Sequence, residues 1–142
     1  MVLKDMEISR MYLLIMGSRA LRDERVKITI LEAIEKYKPT AILTFGEPEG
    51  VCALAQEIAK QNGLPLKLHF LNFRYLAGAF EHRSKAGIKD CDRVLIIHDG
   101  KSKGTTNERK LVEKAGKPFD YKVLEKSEFT KSVGFEITTD WE

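Results

Sequence analysis

The sequence is short of cysteine: its 142 residues carry two, Cys52 and Cys91. A secreted disulfide scaffold normally carries more, so a reducing compartment and two buried, inert thiols are expected. Long apolar runs are missing as well. The longest, such as Tyr12–Met16 and Val94–Ile97, are far too short to cross a bilayer. The first ten residues, MVLKDMEISR, hold no apolar stretch of the kind a secretory signal needs. Together these absences point to a soluble, cytoplasmic protein with no membrane partner. Charge of one sign is also scarce. The net charge is +3, too mild for a dedicated nucleic-acid or membrane-surface binder.

Several catalytic signatures are absent. No GxGxxG follows the first apolar run, and GxxxxGK[ST] occurs nowhere, which disfavours classical NAD dehydrogenases and P-loop NTPases. His69, His82 and His98 form no i, i+4 pair, so neither a metal site nor a cofactor is expected.

What is present is globular. Hydrophobic residues make up 43% and charged residues 32%, the composition of one folded domain with a core of its own. Two periodicities alternate. Tyr12–Met16 is a continuous apolar run, which suits a strand covered on both faces. Then Val26, Ile30, Ile34 and Tyr37 mark a helix over residues 23–38, with Asp23 as N-cap and Pro39 beyond its end. Ala41–Phe45 reads as a second strand. A helix near Val51–Gln61 follows, with Val51, Leu54, Ala55, Ile58 and Ala59 on one stripe and Gly63 as its stop.

A third strand is expected near Leu66–Phe70, a loop over Leu71–Ala77 and a helix over Gly78–Lys89. Arg93–His98 is the clearest strand. A helix over Thr106–Ala115, stopped by Gly116, and a fifth strand over Phe119–Leu124 complete the rhythm. Strand–helix alternation of this kind builds βαβ units. The fold class is therefore α/β: a Rossmann-like three-layer sandwich around a central, mostly parallel five-stranded sheet. Residues 1–126 form one domain. Residues 127–142 form a tail, with Gly134–Thr139 a candidate edge strand and Trp141 partly exposed or at an interface.

In such sheets ligands bind beyond the carboxyl ends of the strands, and three turns there carry unusual residues. Gly17 permits close backbone approach, Ser18 offers a hydroxyl and Arg19 a forked donor for phosphate; an ordinary strand-to-helix turn is the alternative. Gly46 and Gly50 bound a turn that opens a helix, where free N–H groups attract anions. Its two glutamates, Glu47 and Glu49, either contact ribose hydroxyls or only support the helix start. Asp99 and Gly100 lead into Gly104-Thr105-Thr106-Asn107-Glu108. Gly104 and Thr105 suit a phosphate, yet Thr105-x-x-Glu108 also fits a capping box, in which Glu108 only satisfies a backbone N–H. Spacing alone leaves the two readings even.

The order of these features resembles a known group. A strand ends in Gly-Ser-Arg. A second strand leads to Gly-x-x-x-Gly-Val, then an Arg-bearing helix, then a strand ending in Asp-Gly and a Gly-Thr-x-x-Glu helix start. Over roughly Met11 to Leu124 this is similar to the SLOG superfamily, the Rossmann-like group that includes the DNA-processing protein DprA and the "lonely guy" phosphoribohydrolases. The GSR turn and GAFEHRSKAGIKDCDRVLIIHDGKSKGTTNE look most like its small YspA/YpsA-related branch.

The resemblance implies a nucleotide or nucleotide-derived ligand at the strand ends, and a homodimer or higher homo-oligomer. It carries over two positions to this chain: Arg83, nine residues before Asp92, and Glu108. Nucleoside 2-deoxyribosyltransferases have a similar loop with a nucleophilic glutamate, so both relatives act at an N-glycosidic bond. The chain departs from the lonely-guy pattern in three places. His98-Asp99-Gly100-Lys101-Ser102-Lys103 stands where Pro-Gly-Gly would precede Gly104. Ser84 rather than lysine follows Arg83, and Phe45-Gly46-Glu47-Pro48-Glu49-Gly50 replaces a Gly-Gly-x-x-Gly turn.

Three function classes follow. The first is a nucleotide-ligand binding domain using Gly17, Ser18, Arg19, Gly104 and Thr105, with Glu108 on ribose. The second is an N-glycosidic-bond hydrolase or transferase, with Glu108 and Arg83 as its catalytic pair. The third is a nucleic-acid module. Residues 101–117 hold six basic against two acidic residues, but no aromatic interleaves with them for base stacking, so nucleic acid is the least favoured partner.

Overall fold

A computed structural model describes residues 9–125 of the chain. Five strands run through it: β1 (Tyr12–Gly17), β2 (Ala41–Phe45), β3 (Leu66–His69), β4 (Arg93–His98) and β5 (Phe119–Val123). They form one sheet in the order β3-β2-β1-β4-β5. Every pairing is parallel, so the described sheet is wholly rather than mostly parallel. The helices are α1 (Glu24–Tyr37), α2 (Val51–Gln61), α3 (Ala79–Asp90) and α4 (Lys103–Ala115).

Continuous apolar strands are what a sheet covered on both faces needs. In β1, Leu13 and Ile15 point to one side, where they join Val26 and Ile30 of α1 and Val51, Ala55 and Ile58 of α2. Leu14 and Met16 point to the other, with Ile88 of α3 and Val112 of α4. The result is a helix–sheet–helix sandwich. Each fully buried leucine or isoleucine in it contributes about 1.5–3 kcal/mol. Cys52 and Cys91 are free and buried in the second of these cores. Burial pushes the Cys52 thiol up to about 12 and the Cys91 thiol up to about 11.

The helix ends follow local chemistry. Asp23 caps α1 by accepting from the Arg25 N–H. Gly116, at φ 71°, closes α4 in the left-handed conformation that glycine takes without strain.

Two expectations change. The segment expected as a loop over Leu71–Ala77 contains a 3₁₀ helix, Phe73–Gly78, capped by Asn72, whose side chain accepts from the Arg74 N–H. The Asn72 cap satisfies a backbone donor that a plain loop would leave to water. The second change is at α4, which begins at Lys103, three residues earlier than Thr106. Its N-cap is Ser102, whose hydroxyl accepts from the Thr105 N–H at 3.4 Å. Gly134–Thr139 and Trp141 lie outside the described residues.

Among the described residues no helix is long and apolar enough to cross a membrane.

Candidate functional site

The sheet order reverses beside β1. The chain crosses from β1 to β2 on one side, and returns from β3 through α3 to β4 on the other. Between the loops leaving β1 and β4 a crevice must open, because their connections run to opposite faces. A cleft of about 780 Å³ lies there. Gly17 and Arg19 enter it from β1, Glu47 from β2, Arg83 and Ser84 from α3, and Gly104, Thr105 and Glu108 from α4.

Gly17 is required by packing. A Cβ there would sit 2.1 Å from the Ile97 carbonyl oxygen, so any side chain would force β1 and β4 apart. Gly50 serves the same purpose under the cleft. Its φ is +82°, and a Cβ would lie 2.4 Å from the Arg19 Cα.

Arg83 is the inner wall. It is only 5% exposed. Its Nη2 donates to Glu47 Oε2 at 2.9 Å, and its guanidinium lies 4.3 Å from the Phe45 ring centre and 5.6 Å from that of Phe80. The Arg83 Nε–H is buried with no partner, alone among the buried side-chain polar atoms described. An orphaned charged donor of this kind costs one to several kcal/mol, roughly, unless something binds it.

Glu108 faces the same space. Ser84 Oγ donates to its Oε2 at 3.3 Å. Burial pushes its carboxyl up to about 7, and the Glu47 charge adds to the rise; Arg83, the Ser84 hydroxyl and Arg19 oppose it. Because α4 starts at Lys103 under a Ser102 cap, Glu108 stands in its second turn. It is not the N3 partner of a capping box, so that role of Glu108 is excluded.

The remaining expected residues separate into groups. Arg19 is on the rim, largely exposed, with its Nε 3.9 Å from Glu47 Oε2. Gly104 sits in the first turn of α4, where helical N–H groups lack internal partners. Ser18 is 1% exposed. Its hydroxyl accepts from the Asp99 N–H at 3.0 Å and meets Thr105 Oγ1 at 3.2 Å. It knits the ends of β1 and β4 to α4, beneath the cleft floor.

Asp99 turns into its own loop and accepts from the N–H groups of Lys101 and Ser102, both at 2.8 Å. Burial alone would raise its pKa, but these donors and the Ser18 hydroxyl outweigh it and hold the carboxyl below its usual range. Gly100, at φ +86°, turns toward Val123 and Glu125 and not toward the cleft. Gly46 lines a second bay beside the cleft. Asp92 lies at the opposite end of the sheet and accepts from the Tyr12 N–H at 2.8 Å.

Three participants had no clear signal in the sequence. Glu47 was visible only as one of two glutamates in a turn. Ser84 and Phe80 become neighbours of the site only once α3 is laid against α4. The histidines go elsewhere. His69 meets Asp90, His82 stacks on Tyr75, and buried His98 sits between the Tyr121 hydroxyl and the Ser102 carbonyl. Because the Ser102 carbonyl can only accept, Nε2 of His98 carries a hydrogen.

No protein-family model matches the chain, and no curated protein matches it. Among solved structures it is similar to the molybdenum cofactor binding protein of the phototrophic bacterium Rippkaea orientalis. The TM-score is 0.61, with 18% identity, over 90% of this chain and 84% of the other. The fold is Rossmann-like. At that identity the likeness speaks for architecture alone, and function rests on the site.

Proposed function

We propose that the cleft binds a nucleotide or a nucleotide-derived sugar phosphate. The observation that carries this reading is the buried Arg83 guanidinium, which lines a crevice at the sheet's switch point and keeps one donor, its Nε–H, without a partner. Arg19 at the rim and the first turn of α4 add donors of the same kind. Glu47 and Glu108 would keep the cleft from being a mere anion trap, since carboxylates accept from the hydroxyls of a sugar. The SLOG resemblance favours the same ligand class. The similar Rippkaea orientalis protein is described as binding a molybdenum cofactor, which agrees with small-molecule binding on this architecture.

The test is a thermal-shift series with nucleoside monophosphates and ribose 5-phosphate. A ligand at a hundredfold excess over Kd stabilises the protein by about 2.7 kcal/mol. No shift at millimolar concentrations with any of them overturns the reading.

A second reading is favoured by one observation, the Glu108 carboxyl raised to about 7 beside Ser84. Such a group is poised between acid and base at neutral pH. In N-glycosidic cleavage the C1′–N bond breaks and its electron pair leaves with the base. The sugar carries positive charge until a water oxygen bonds C1′; the base takes up a proton, and the attacking water gives one up. Ionised Glu108 would stabilise that positive charge, while Arg83 would hold the phosphate. Base release from nucleoside monophosphates, abolished in Glu108→Gln, is the expected result. Release that survives in Glu108→Gln, or none in the wild type, removes this reading and leaves binding.

A further inference from the structure

The bay beside the cleft is walled by aromatic rings. Of the large apolar side chains left exposed among the described residues, Phe70, Phe73, Tyr75, Leu76 and Phe80 all fall between positions 70 and 80. Phe73 is 74% exposed and Leu76 80%. Scattered exposed apolar residues need no explanation, but a cluster of this size does. Phe70, Phe73 and Phe80 line a concavity of about 320 Å³. Phe70 lies so close over Gly46 that a Cβ there would come within 2.1 Å of the ring. Leu76 is held at φ 48° and ψ −121°, outside the helical region, at the kink where the 3₁₀ helix meets α3. That strain persists only where surrounding structure enforces it.

The bay is continuous with the cleft. Arg19, Glu47, Phe80 and Arg83 line both spaces. A molecule whose charged end reaches Arg83 and Arg19 would therefore lay its other end against aromatic rings. The rim also carries Glu49, which pairs with Arg22. A protein–protein interface core is depleted of charge, whereas a bay bounded by two carboxylates and two guanidinium groups suits a planar, polar-edged group.

We propose that this aromatic bay holds the heterocyclic base of a nucleotide by stacking, so that the protein prefers a base-bearing ligand over a bare sugar phosphate. The inference rests on the phosphate-binding reading of the neighbouring cleft. Stacking is tolerant of base identity because every base has a π-face, so selectivity among bases would come from Glu47 and Glu49 accepting from ring-edge N–H groups.

Isothermal titration of the wild type and Phe73→Ala with AMP, GMP, CMP, UMP and ribose 5-phosphate tests this. Phe73 lines only the bay and is exposed, so its truncation leaves the fold intact. The best wild-type nucleotide is expected to bind about tenfold or more tighter than ribose 5-phosphate. Phe73→Ala should erase that preference while leaving ribose 5-phosphate affinity unchanged, and Phe73→Tyr should keep it. Binding of ribose 5-phosphate as tight as that of every nucleotide overturns the proposal and leaves the cleft reading standing. So does a preference that survives in Phe73→Ala. Sedimentation that shows a wild-type dimer split by Phe73→Ala, with nucleotide binding unchanged, assigns the patch to a second copy of the chain instead. Failure of all five compounds to bind removes both readings together.

Discussion

Glu108→Gln should make the protein more stable at alkaline pH, and this follows from the carboxyl's position alone. Its ordinary value of 4.5 is raised to about 7 in the folded chain. Between those values the folded state holds a proton that the unfolded state has released. Stability therefore falls as pH rises through this window. It is full below about 4.5, and the loss is complete once the folded group has ionised above about 7. A displacement of that size corresponds to about 3 kcal/mol at pH 8, taken as an upper bound.

Glutamine has nearly the same shape, still accepts from Ser84 and never ionises. The variant should match the wild type at pH 4 to within about 0.5 kcal/mol. It should exceed it by up to about 3 kcal/mol at pH 8, a rise in Tm of roughly 10 °C for a chain of this length. The assay is thermal unfolding of both proteins at half-unit steps of pH. Asp23, Asp90, Asp92 and Asp99 titrate low in both, so the difference between the curves isolates Glu108. Parallel curves from pH 4 to 8, or a variant less stable at pH 8, would refute the argument.

Three further outcomes are expected. Arg83→Ala strands Glu47, so it should cost about 3 kcal/mol, and adding Glu47→Gln should return part of that loss in denaturant melts. Gly17→Ala drives a Cβ against the Ile97 carbonyl, a backbone atom that cannot swing aside; a loss of about 1–3 kcal/mol is expected, whereas an unchanged midpoint would mean β1 and β4 are not so closely packed. Cys52 and Cys91, buried with raised thiol pKa values, should resist a thiol reagent at pH 8 in native protein and react once it is unfolded.

The strands were legible because a parallel sheet covered on both faces demands continuous apolar runs, and YLLIM, AILTF and RVLIIH are such runs. The alternation of strands and helices pointed to the carboxyl ends of the strands, whereas the place where strand order reverses needed the order β3-β2-β1-β4-β5 itself. The 3₁₀ helix was not legible, because its aromatic side chains are exposed and so leave no buried stripe to read. Glu108 shows a subtler limit. A Ser or Thr three residues before a Glu signals a cap only if the helix starts at that Ser or Thr. Here Ser102 takes the cap, and that shift of three residues moves Glu108 from a helix terminus into the cleft. Ser18 shows the reverse case. Its hydroxyl suits phosphate by type, yet folding directs it to the Asp99 N–H and Thr105 Oγ1.

The cleft runs against the economy of the rest of the molecule. Ion pairs such as Arg25 with Asp23 and Lys85 with Glu81 sit in solvent, where each is worth little and costs little. At the cleft the chain buries Arg83 against Glu47, leaves an N–H without a partner and raises a carboxyl toward neutrality. Apolar residues of similar size would fill that wall more cheaply. Under the proposed function, a ligand from outside the chain offsets the cost of these polar groups. A bound anion that pairs with the Arg83 guanidinium would return part of it. The stabilisation conferred by a ligand and the destabilisation stored at Glu108 and Arg83 should then prove to be two measures of the same site.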